Sequence, residues 1–113
     1  MSTKVTFECT YDGQSTKKNR VVTLGFRAPF SELGETMRLV FVIGKPIKVG
    51  ASVGEEHITI GECILAGYSY DRDGEQKIKL ETDVDAAKCT TDDIKKMLNK
   101  SFKLIIKEGN GDV

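Results

Sequence analysis

The sequence contains one histidine, two prolines, three cysteines, no tryptophan and no net charge, and several of these shortages exclude a class of chemistry. A single histidine, His57, rules out a multi-histidine metal site and leaves any catalytic triad dependent on one residue beside a turn. Cys9, Cys63 and Cys89 are odd in number and widely spaced, which argues against a disulfide framework and provides no C-x-x-C motif for zinc or thiol exchange. All three are expected to be reduced, which points to a cytoplasmic setting. No apolar run approaches the ~20 residues of a membrane-spanning helix. The opening Met1-Ser2-Thr3-Lys4-Val5 also lacks the apolar stretch of a secretory signal. No membrane partner is therefore expected.

Seventeen basic residues cancel seventeen acidic ones, so the chain as a whole has no long-range attraction for a polyanion. The halves differ, however. Eight Lys/Arg against four Asp/Glu in 1–50 leave +4, and nine against thirteen in 51–113 leave −4. That asymmetry fits two halves folded against each other, or copies associating head to tail.

What is present suits one β-rich domain spanning 1–113. The 113 residues are 39% hydrophobic and 30% charged, enough for a single small core. Val5, Phe7, Cys9 and Tyr11 alternate with Lys4, Thr6, Glu8 and Thr10, the period of a strand with one buried face. A polar connection over 12–19 leads to a second alternating segment, Arg20–Arg27, with Val22, Leu24 and Phe26 inward. The pair predicts a hairpin. Met37–Ile43 is continuously apolar from Leu39, which predicts a central strand covered on both faces, the most buried of the sheet. Ile47–Val53 and His57–Tyr70 flank Gly54-Glu55-Glu56 as a second hairpin, with Gly61 and Gly67 placed for bulges. Asp71-Arg72-Asp73-Gly74 turns the chain into a third, ending at Lys77–Asp83, and Asp-Gly favours a two-residue loop. Thr90-Thr91-Asp92-Asp93 resembles a helix-capping box, and a helix to about Asn99 follows, with Ile94, Met97 and Leu98 apolar. Phe102, Leu104 and Ile106 alternate in a last strand. The expected fold is α+β and β-rich: an antiparallel meander of about six to seven strands, able to curl into a small barrel, with one helix near residues 91–99.

Catalytic and cofactor motifs fail on inspection. Gly44-Lys45 is followed by Pro46 where a phosphate loop needs Ser or Thr. Gly50-Ala51-Ser52-Val53-Gly54 lacks the dinucleotide-binding order and precedes a strand. With Gly74 at position six of a calcium loop, Leu80 occupies position twelve, where a bidentate Glu is required. Cys89 precedes the predicted helix, where amides can acidify a thiol, but no base is placed beside it. We expect no enzymatic activity, no cofactor and no metal site.

Two binding readings remain. One is a non-enzymatic protein acting through a protein–protein surface, with a protein partner or a second copy of itself. The other is an oligonucleotide-binding-type small barrel for single-stranded nucleic acid. With a two-residue loop, Tyr70 pairs with Lys77 and Tyr68 with Lys79, giving Tyr68, Tyr70, Lys77 and Lys79 one aromatic and basic face. A loop one residue longer turns both tyrosines to the core side instead. Lys95, Lys96, Lys100, Lys103 and Lys107 form a second basic group, read as a solvated face.

Overall fold

The computed structural model describes residues 4–16, 21–83, 91–98 and 100–108. Among them are six strands: β1 (Lys4–Thr16), β2 (Val21–Ala28), β3 (Pro46–Val53), β4 (Glu56–Tyr70), β5 (Gln76–Asp83) and β6 (Ser101–Glu108). Two short helices accompany them, α1 (Leu33–Thr36) and α2 (Thr91–Met97). Every strand pairs antiparallel with two neighbours, and the sheet closes on itself in the order β1-β2-β5-β4-β3-β6. The three sequential hairpins are present. The two long connections, β2 to β3 and β5 to β6, reorder the ring so that β2 lies beside β5 and β6 closes between β3 and β1.

Period-two alternation fills the interior. Val5, Phe7 and Cys9 of β1, Leu24 and Phe26 of β2, and Phe102, Leu104 and Ile106 of β6 are all buried. Phe26 meets Tyr11 and Phe102 edge to face, with centroids 5.7 and 6.1 Å apart. In β4 the inward parity changes twice. Ile58 and Ile60 point in, then Cys63 and Leu65, then Tyr68. The register slips opposite Val49/Gly50 and again between Leu65 and Gly67. Gly61 has a φ of +113°, which a side chain rarely adopts, so the glycine is what permits the first slip. The expected bulges near Gly61 and Gly67 are thus both present.

One expected element is wrong. Residues 37–42 form a 3₁₀ helix, not a central strand. Its neighbours along the chain are helical too: a 3₁₀ turn over Phe30–Glu32 and then α1. The physical reason lies in the ring. Closing six strands leaves no free edge along which a seventh can pair, so this backbone meets its hydrogen-bonding needs internally. Its one bridge to the sheet is Ile43 to Leu65, beside a 3.3 Å bond from Gly44 N to Leu65 O.

The helix at the C-terminal end is present as α2, anchored by buried Met97 and by a 2.7 Å ion pair from Lys96 to Glu56 at the start of β4. Asp92 and Asp93 occupy its first turn, where acids favour the helix dipole. Thr90, Cys89 and Asn99 lie outside the described residues. Cys9 is a free, buried thiol, and Cys63 is buried as well.

Candidate functional site

The segment between β2 and β3 crosses the barrel as a helical connector with a three-residue rhythm. Thr36, Leu39 and Val42 are buried, while Met37, Val40 and Ile43, one position further on, are exposed. Three residues per turn is the period of a 3₁₀ helix, in which side chains at i and i+3 eclipse. One ridge therefore enters the core and the next two face water. Met37, Val40 and Phe41 retain 59%, 58% and 65% of their surface. Arg38 and Glu35, also three apart, ion-pair at 3.4 Å on the solvent side. Ile43 sits beside Leu65 of β4, and the adjacent Ile64 points out of the barrel and is exposed. The result is an apolar ridge on the outside of the molecule.

A polar chain pins the connector to the β4–β5 hairpin. Thr36 is fully buried, and its Oγ1 lies 3.0 Å from Gln76 Oε1 and 3.2 Å from Tyr68 Oη. The consistent assignment has Tyr68 donating to Thr36 and Thr36 donating to Gln76, whose Nε2 donates to the Gly74 carbonyl. Gly74 itself has a φ of +82°, and a Cβ there would strike the ring of Phe30. The connector thus rests on the hairpin at both Thr36 and Phe30.

That hairpin does not have the two-residue loop expected. Asp71 to Glu75 form the loop, closed by Asp71 N to Glu75 O at 3.0 Å. The Asp71 carboxylate accepts from the amides of Asp73 and Glu75 at 2.9 and 3.1 Å, an aspartate organising the turn that follows it. The pairing therefore moves by one residue. Tyr68 lies opposite Ile78 and Tyr70 opposite Gln76, while Lys77 and Lys79 face Ser69 and Gly67. Tyr68 is half-buried against the core, and Tyr70 is exposed at the end of its strand. Lys77 and Lys79 are exposed on the other face of β5. The four candidates for an aromatic and basic face are not brought together.

Among the described residues, two of the depressions on the barrel surface concern the candidate residues. The larger, about 340 Å³, is lined by Val21, Pro46, Cys63 and Ile64 with Glu62, Glu81, Thr82 and Asp83. Thr82 Oγ1 there donates to the Glu62 carbonyl at 2.8 Å. The smaller, about 280 Å³, includes Arg27, Glu75, Glu8 and Cys9. Arg27 ion-pairs with Asp12 at 2.8 Å and with Glu75 at 3.2 Å. Asp12 foremost, with Glu75 adding to it, strengthens its charged form, so its charge is already matched. Burial, reinforced by Glu32 and Glu8, pushes the Cys9 thiol far up and keeps it protonated. A protonated, buried thiol is a poor nucleophile. His57 is exposed at the start of β4, opposite Ser52. Among the described residues, no three His, Cys, Asp or Glu side chains converge as metal ligands, and no helix is long and apolar enough to cross a membrane.

The lysine group from α2 and β6 divides. Lys96 is held by Glu56, which raises its pKa through a hydrogen bond and through charge. Lys107 sits on the outer face directly opposite both Lys4 of β1 and Lys48 of β3. Lys48 in turn approaches Glu62 at 3.8 Å.

The apolar ridge and the Thr36–Gln76–Tyr68 chain were both missed by sequence reasoning that took 36–43 as a strand. The signal that finds them is the three-residue spacing of Leu33, Thr36, Leu39 and Val42. No protein-family model matches the chain, and no curated protein matches it closely enough to count as a relative.

Proposed function

We propose that this protein is a small non-enzymatic binding domain that docks on protein through the ridge of the β2–β3 connector. The observation that carries the reading is the exposure of Met37, Val40, Phe41 and Ile43 on one continuous segment. Contiguous apolar surface left in water costs solubility, and soluble domains that keep it commonly use it as a contact. The connector is also anchored to the barrel, by the buried side chains of Leu39 and Val42 and by the polar chain through Thr36. An anchored apolar surface loses little entropy when a partner covers it. The free, buried thiol of Cys9 supports a reducing, cytoplasmic setting for this activity.

Site-specific photo-crosslinking tests the reading. A photoreactive residue in place of Phe41 should yield discrete crosslinked protein species in cells. The same residue in place of Glu8, exposed on the outer face of β1, should yield none. Equal, diffuse labelling at both positions would remove the ridge as a docking surface.

A further inference from the structure

We infer that the occupant of the ridge is a second copy of this chain, packed ridge against ridge and antiparallel about a two-fold axis at Val40. The inference rests on the docking reading above and names its partner. Three observations lead to it.

The first is area. Met37, Val40, Phe41, Ile43 and Ile64 are each roughly half or more exposed. Together they present roughly 500 Å² of surface, large for what a monomer leaves in water and short of the ~800 Å² per partner of a standard interface. The bordering charged residues supply the remainder as a polar rim.

The second is geometry. A two-fold contact is isologous, so each residue on one side of the axis meets its mirror position on the other copy. With Val40 on the axis and self-opposed, Met37 meets Ile43 of the second copy and Ile43 meets Met37. Met37 and Val40 are exposed positions of one 3₁₀ ridge, and Ile43 at its C-cap continues their spacing, so apolar meets apolar along its length. At about 2 Å of rise per residue, such a ridge is short and straight enough for both copies to stay in contact.

The third is charge. The rim is ordered along the connector: Glu32 and Glu35 lie before the ridge, Arg38 pairs back with Glu35 on the N-terminal side of Val40, and Lys45 lies beyond the C-terminal end. Their charges cancel, so the patch does not repel itself. The same axis sets Glu35 of one copy against Lys45 of the other, twice in each dimer. Parallel packing would instead align acid with acid. Both groups now sit in exposed intramolecular pairs, Glu35 with Arg38 and Lys45 with Glu108 at 3.4 and 3.3 Å. Exposed pairs of this kind are weak and exchange readily. Charge order of this sort selects orientation more than it adds affinity.

The test is sedimentation velocity and light scattering of the purified full chain across the micromolar range, with circular dichroism to confirm each variant's fold. The wild type should show a concentration-dependent monomer–dimer equilibrium. Val40→Asp, on the axis itself, should abolish the dimer while remaining folded, because that side chain is solvent-facing. Glu35→Lys should raise the dissociation constant by about tenfold at low salt, and the double exchange Glu35→Lys/Lys45→Glu should recover most of the loss. A wild-type monomer throughout the range overturns the inference. So does a dimer that survives Val40→Asp, which would lie elsewhere, or a charge exchange that fails to restore it. If the purified chain is monomeric while crosslinks from position 41 capture a different protein, the second copy is refuted and the docking surface stands. If both are negative, both are refuted.

Discussion

Leu39 and Phe41 stand two residues apart in one run of apolar sequence, yet truncating them should have costs of very different size. Leu39 is 0% exposed and points into the barrel core beside Val42. Replacing it by Ala removes three buried carbons and leaves a cavity that a closed six-stranded ring can only partly collapse around, at a cost of about 2–5 kcal/mol. Phe41 keeps about two-thirds of its surface in water. Its truncation gives up at most about a third of the 1.5–3 kcal/mol of a fully buried aromatic, so about 0.5–1 kcal/mol. For a domain of this size, each kcal/mol moves the melting temperature by about 4 °C. Leu39→Ala should therefore melt about 8–20 °C below the wild type, and Phe41→Ala within about 4 °C of it. With no tryptophan in the chain, far-ultraviolet circular dichroism in urea and on heating is the natural assay. Low protein concentration keeps mass action at the ridge from adding apparent stability. A cost of 3 kcal/mol or more for Phe41→Ala at such dilution, the ordinary penalty for an emptied aromatic core site, would refute the three-residue rhythm. So would a cost for Leu39→Ala lost in the noise.

Four further outcomes are expected. Thr36→Val keeps the shape and removes the hydroxyl between Tyr68 and Gln76. The buried Gln76 oxygen then has no donor, and urea denaturation should register a loss of about 1–3 kcal/mol, against no change if the chain of bonds is incidental. Lys107→Glu exchanges two like-charged cross-strand neighbours for two opposite ones. Stability should rise by about 0.5 kcal/mol or more at low salt and the gain should fade as salt is added, whereas a loss at low salt would contradict the register. The Cys9 pKa is raised on folding above its ordinary value of 9.0, so the folded state holds a proton that the unfolded chain releases. Its contribution is complete below pH 9.0 and is lost as pH rises beyond it, by about 1.4 kcal/mol per pH unit; Cys9→Ala should show a correspondingly shallower alkaline decline. Mixed single-stranded oligonucleotides should show no saturable binding at physiological salt in fluorescence anisotropy. Micromolar binding that weakens with salt and disappears in a folded Tyr68→Ala/Tyr70→Ala variant would restore the nucleic-acid reading.

Much of the barrel is legible before any coordinates, because period-two alternation is a local property. Val5, Phe7 and Cys9 in β1, Leu24 and Phe26 in β2, and Phe102, Leu104 and Ile106 in β6 identify their inward faces with no knowledge of their neighbours. Gly61 marks a bulge because only glycine tolerates its backbone angle, and Ile94 and Met97 outline α2 by helical spacing. The apolar run at 36–43 is different. Hydrophobicity says that some of it is buried but not in what conformation, and that conformation depends on whether a sheet edge is open to receive it. Ring closure, through the pairing of β1 with β6 and β6 with β3, removes that edge by contacts between residues about a hundred and about fifty-five positions apart. The run therefore coils, buries Leu39 and Val42, and leaves Met37, Val40 and Phe41 outside. The tyrosine–lysine face dissolved for a related reason. One carboxylate, Asp71, draws two amides into a longer loop, and a one-residue slip moves every opposing side chain by one place. Strand faces follow from spacing along the chain. Register and the fate of a uniformly apolar segment follow from which backbone groups are still unpaired once the barrel has closed.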